Sequence, residues 1–160
     1  MKLAAKYDIE APVDFVYREL SDFDAWERMA IRRGAEVTRI DKPTKPGPGL
    51  EWLVNFKLRG KGRSARIKLT KVLPTGHMTI HIQSNLADGE IIIELLDLAA
   101  TRTRVDVRLE VTPKTFAARL YMQTLRLSRK KVEATYSQRI AQLAVEMEDR
   151  YRRPAARAPR

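Results

Sequence analysis

Residues Thr112 to Tyr151, TPKTFAARLYMQTLRLSRKKVEATYSQRIAQLAVEMEDRY, decide the fold. Thr112 is a good N-cap, and Pro113 suits a first helical position, where no N–H is needed. No Gly or Pro follows until Pro154. Set on a helical repeat, Ala118, Met122, Leu125, Val132, Tyr136, Ile140, Leu143, Met147 and Tyr151 share one face. One long helix is therefore predicted, with an apolar stripe that must be buried. At about 1.5 Å per residue it would run roughly 58 Å, against about 40 Å across a compact chain of this size. It must project, bend or pack on a second molecule. Its weak point is Ser128-Arg129-Lys130-Lys131, where the stripe lapses.

Upstream of it the chain alternates. From Lys2 to Glu10, Leu3, Ala5, Tyr7 and Ile9 fall on one side, the pattern of a half-buried strand. Pro12 opens a short helix to Leu20. Ser21 is expected to cap a second one, which Gly34 closes, and Ala35 to Asp41 reads as the next strand. Lys42 to Gly49, with three prolines and two glycines, reads as a loop. Five more strands follow, turning at Gly60-Lys61-Gly62, Pro74-Thr75-Gly76, Asn85–Gly89 and Ala99–Arg102. The order is β-α-α-β-β-β-β-β-β-α. Short connections make the seven strands antiparallel, and only the long helix is large enough to cover their inner face. This is an α+β fold, one domain over residues 1–151, with a basic tail, 152–160, expected to be disordered.

At 44% hydrophobic and 32% charged, the 160 residues have the composition of a soluble globular protein. No apolar run approaches the roughly 20 residues of a membrane span, and Met1–Lys6 has no signal-peptide character. The lack of cysteine excludes disulfides, thiol catalysis and thiolate metal sites, and fits a cytoplasmic location. The net charge of +11 is uneven: residues 113–160 hold twelve basic and four acidic side chains, whereas residues 1–50 balance. Such a field favours anionic partners, either RNA or an anionic membrane.

The run Ile9-Glu10-Ala11-Pro12-Val13-Asp14-Phe15-Val16-Tyr17, then Leu20-Ser21-Asp22 and Trp26, resembles the START-related, polyketide-cyclase-like superfamily. Thr103-Arg104-Val105-Asp106-Val107 ahead of a long helix is similar to that superfamily's last strand. The resemblance implies a helix-grip fold, a curved sheet around the C-terminal helix with a cavity between them. Members bind lipids, sterols, quinones or polyketides, and some are cyclases, hydroxylase subunits or ribosome-associated factors. No catalytic signature unites them, so neither a catalytic residue nor a cofactor is carried over.

Alternation puts Trp52, Val54, Phe56, Ile67, Leu69, Met78, Ile80 and Ile82 on the inner face, either as solid core or as the wall of an apolar pocket. With Trp26, Met122, Leu125 and Arg129 they make the predicted ligand cavity. Arg129 falls inside the helix stripe, where it meets a ligand's acidic head group or snorkels into water. A second stripe, Phe116, Leu120 and Leu127, reads as a packing or homodimer contact. His77 and His81, if on one strand, are roughly 13 Å apart, too far to share a metal, and none is expected. Basic runs at Lys57, Arg59, Lys61 and Arg63, and at Arg126, Lys130 and Lys131, suit an anionic membrane or RNA. The predicted function is non-covalent binding of a small hydrophobic or amphipathic molecule, the mouth gated by residues 22–32 and the 42–49 loop. The rivals are a factor acting through its basic surface and a cyclase-type enzyme. For the enzyme, Glu51, Arg39 and Glu94 are the inward ionisable candidates.

Overall fold

Seven alternating segments pair into one antiparallel sheet in a computed structural model that describes residues 1–41 and 48–153. The chain runs β1 (Lys2–Ile9), α1 (Val13–Leu20), α2 (Phe23–Arg32), β2 (Glu36–Asp41), β3 (Glu51–Leu58), β4 (Lys61–Leu73), β5 (His77–Ser84), β6 (Ala87–Ala99), β7 (Arg102–Pro113), α3 (Phe116–Leu127) and α4 (Arg129–Arg152). The strand order is β1-β7-β6-β5-β4-β3-β2. Two short helices carry the chain from one sheet edge to the other, after which every strand turns back on the last. This is the predicted α+β helix-grip architecture. Most of the 42–49 loop, and the tail beyond Arg153, lie outside the described residues.

Local chemistry moves several boundaries. Thr112 and Pro113 belong to β7, paired with Asp88 and Ala87, so the cap passes to the second threonine. Thr115 Oγ1 accepts the Ala118 N–H at 3.1 Å. Asp22, and not Ser21, caps α2, accepting from Ala25 N at 3.1 Å, while the Ser21 hydroxyl donates back to Tyr17 O at 2.6 Å. The β3–β4 turn is Arg59-Gly60, one residue earlier than expected, with φ of 52° and 77°. Two positive φ values match the twist of a tight hairpin, which favours this register over a looser Gly-Lys-Gly turn. The β5–β6 turn is likewise shorter, because Ala87, Asp88 and Gly89 pair within the sheet.

The long helix is two helices. It breaks at Ser128 (φ −111°, ψ 30°), within the predicted weak point, where Ser-Arg-Lys-Lys offers no apolar contact to keep it straight. Nor does it cover the sheet alone. α4 packs chiefly against the edge strand β1, and α1 and α2 share the cover. The second half of α4 is well fastened. Ala144 and Met147 are buried with Ile9, Phe15 and Val16 of the α1 end, and the Phe15 and Tyr151 rings lie 5.1 Å apart. Arg150 Nε donates to Glu19 at 2.9 Å, and Glu148 accepts the Glu10 N–H at 2.9 Å. At the same end, buried Thr103 donates to Ala11 O at 2.8 Å, tying the start of β7 to the chain leaving β1. The core therefore lies toward the α1–α2 end. No helix among the described residues is long and apolar enough to cross a membrane.

Candidate functional site

The inner face divides into a buried end and a half-buried one. Trp52, Leu69, Met78 and Ile80 are buried in the core, and Val54, Ile67 and Trp26 pack on it half-buried. Phe56 and Ile82, on the same face, are only half-buried, as are Met122 and Leu125 on α3. Phe56 stands next to the β3–β4 hairpin, toward which α3 extends. α3 leaves β7 and reaches the β3–β4 hairpin, where the Arg59 guanidinium lies 4.3 Å above the Tyr121 ring. Its inward face carries Ala118, Tyr121, Met122 and Leu125. Its N-terminal end is held by Lys114, which donates to Ser84 O at 3.0 Å and pairs with Asp88 at 3.3 Å.

One cation enters this apolar end. Arg63 has the strand parity of Ala65, Ile67 and Leu69, pairs across the hairpin with Phe56, and is half-buried between exposed neighbours. Its Nε is shielded from solvent and has no hydrogen-bond partner among the described residues. Lys57, Arg59 and Lys61, grouped with it by charge, are exposed. The difference was legible in the alternation, since the residue two places before an inward alanine also faces in. Arg129 lines a second, separate groove. It is exposed, pairs with Glu133 at 2.7 Å, and with it forms the α4 wall of a groove of about 610 Å³ whose other wall comes from β1, β6 and β7. Charged pairs such as Lys2 and Glu110 line that groove.

The α2 side is closed by a polar cluster. Glu27 Oε1 accepts from Trp52 Nε1 at 2.7 Å and from Arg39 Nε at 3.0 Å, and Asp24 adds a contact to Arg39 at 3.3 Å. Phe23 meets both Trp26 and Trp52 with ring centres 5.3 and 6.1 Å away. These contacts bolt residues 22–32 to the sheet. Of the three ionisable candidates, Arg39 faces inward. Glu51 pairs with Arg66 at 3.6 Å and Glu94 with Arg108 at 2.8 Å, both on the outer side. His77 and His81 also face out, each against its own β6 carboxylate, Glu94 and Glu90. No cluster of three potential metal ligands occurs among the described residues. On α3, Phe116, Leu120 and Leu127 are 73%, 48% and 90% exposed, and Arg126, Lys130 and Lys131 are exposed beside them.

Tyr136 fixes α4 over the sheet, its hydroxyl donating to Val107 O at 2.8 Å. Burial, helped by the Asp106 charge, pushes its phenol up to about 12 from an ordinary 10.0. The folded chain therefore keeps a proton that the unfolded chain gives up near pH 10. The associated stability is full below that pH and is lost as pH rises toward 12. Urea midpoints measured across this window should fall for the native sequence. They should fall less steeply for Tyr136→Phe, which starts about 1 kcal/mol lower at neutral pH for want of the hydrogen bond.

Solved structures share this arrangement. The Thermus thermophilus protein TTHA0849 superposes with a TM-score of 0.66 at 15% identity, over 92% of this chain and 97% of that one. The Zhui aromatase/cyclase of a Streptomyces species gives 0.66 at 12% identity, over 94% and 95%. A START superfamily protein from Mycobacterium smegmatis gives 0.55 at 15% identity, over 86% and 97%. The chain has a START/polyketide-cyclase-like fold. At these identities the likeness concerns the fold alone. No protein-family model and no curated protein matches the sequence.

Proposed function

We propose that this START-like chain binds a small amphipathic molecule non-covalently beneath α3. The apolar body would lie against Phe56, Ile82, Met122 and Leu125, with an anionic oxygen at Arg63. The observation that carries this reading is the Arg63 guanidinium, set on an apolar face with its Nε shielded and unpartnered. Arginine does not shed its charge in a protein, and an unmet buried N–H costs about 1–3 kcal/mol. A carboxylate, phosphate or enolate oxygen meets that need, and two forked N–H groups hold it in a fixed orientation.

Binding is favoured over catalysis by the state of Glu27. On the α2 side Trp52 and Arg39 already occupy it, and Asp24, the other carboxylate there, meets Arg39. A general base must be within reach of substrate and free to take a proton. The aromatase/cyclase among the similar folds keeps a cyclase reading in view, with Arg63 stabilising a developing oxyanion. The cysteine-free sequence supports a reducing compartment such as the cytoplasm.

Native mass spectrometry of the purified protein, followed by solvent extraction, tests the proposal. A stoichiometric adduct that is an acidic lipid, quinone or polyketide-like molecule is the expected result. A bare mass, together with no thermal shift across a panel of such acids, would overturn it and leave the basic surface as the working part.

A further inference from the structure

The outward face of α3 combines two features that water alone does not favour. At about 100° per residue, Phe116, Leu120 and Leu127 fall within about 40° of each other, and all three are exposed. Leu127 is 90% exposed at the helix end. Cations lie on both sides of this stripe. Arg119 and Arg126 line one flank. The other is supplied by a different part of the chain, where the Arg59 guanidinium rests on Tyr121 and brings the exposed hairpin tip, with Lys57 and Lys61, alongside. Lys130 and Lys131 continue the field past the break.

No acid dilutes it. There is no Asp or Glu from Val111 to Val132, and none from Trp52 to Ala87. A helix with an apolar stripe edged by arginine and lysine lies in the plane of a bilayer interface. The apolar side chains enter the acyl boundary and the cations meet anionic head groups. Charge complementarity picks this occupant. A second copy would bring one such basic field against another, and a nucleic acid would leave Phe116 and Leu127 in water.

We propose that the outward face of α3, together with the β3–β4 hairpin tip, is a docking surface for an anionic lipid bilayer. The surface lies on the opposite side of α3 from the concavity and does not depend on what the concavity holds. Flotation of the full chain with phosphatidylcholine vesicles, with and without phosphatidylglycerol, tests it at low and high salt. The native chain is expected to float with the anionic vesicles only and to be released by salt. Phe116→Ser with Leu127→Ser should lower the partition about tenfold or more, and Arg126→Gln about fivefold. All three residues are exposed, so melting temperatures should not change. Equal flotation with both vesicle types, or binding indifferent to the serine pair, would overturn the proposal. So would a dimer in sedimentation that the serine pair dissociates without any vesicle binding, or RNA binding in place of vesicle binding.

Discussion

Arg63→Met is expected to empty the concavity of an acidic ligand while leaving the chain as stable as before, or more stable. A charge-assisted pair in a half-buried setting is worth about 2–3 kcal/mol, so affinity should fall on the order of 100-fold. Stability should move the other way. A half-buried guanidinium opposite Phe56 whose Nε lacks a partner among the described residues gains little for the empty protein, and apolar replacements of buried charge are often neutral or favourable by about 1–4 kcal/mol. Arg63→Lys should fall between, because an ammonium keeps the charge but not the two-pronged geometry. Extraction and titration read the affinity, and calorimetry reads the melting point. Undiminished affinity in Arg63→Met would remove Arg63 from the site. A loss of several degrees would mean that the arginine has a structural partner.

Trp52→Ala should produce the largest loss of stability in the molecule. The side chain is 4% exposed, stacks near Phe23, and gives its N–H to Glu27 at 2.7 Å. Truncation removes a large buried aromatic and leaves a cavity, which costs about 3–5 kcal/mol. For a chain of this size that is roughly 10 °C in melting temperature. Trp52→Phe keeps most of the apolar contact and forgoes the hydrogen bond, so its loss should be about a third as large. A drop of only a degree or two in Trp52→Ala would show that α2 holds to the sheet without this anchor.

The elements were legible wherever one periodicity ruled. β1 and β7 alternate cleanly, their order with the short helices gives the topology, and the charge-rich gap at residues 128–131 marked the break in the long helix. Decisions that depend on a second element were not legible locally. Thr112 has every attribute of an N-cap, but pairing with Asp88 holds it in the sheet and the role passes to Thr115. The span that α4 covers could not be read from its stripe either, because the stripe says how much is buried and not against which strand. Arg63 is a different matter. Its parity with Ala65 was in plain view, but grouping it with Lys57, Arg59 and Lys61 by charge hid the direction in which it points. Arg129 sits in the helix stripe, and its partner one turn away, Glu133, could be read from the i, i+4 spacing, whereas the groove that both line depends on the neighbouring strands.

The break at Ser128 separates two rates. α4 is tied into the core through Met147, Tyr151 and Arg150, so releasing it means unfolding the domain. α3 has no fully buried residue; Lys114 at its start, one cation–π stack and the half-buried Tyr121, Met122 and Leu125 hold it, and a helix secured in this way is expected to open as a small cooperative unit below the global free energy. For the occupant proposed beneath α3, entry and exit would then follow the opening of that helix. Its residence time would be adjustable at Arg59 and Tyr121 without touching the core. Substitutions that raise the melting temperature at the α1–α2 end would leave the exchange of an occupant as fast as before.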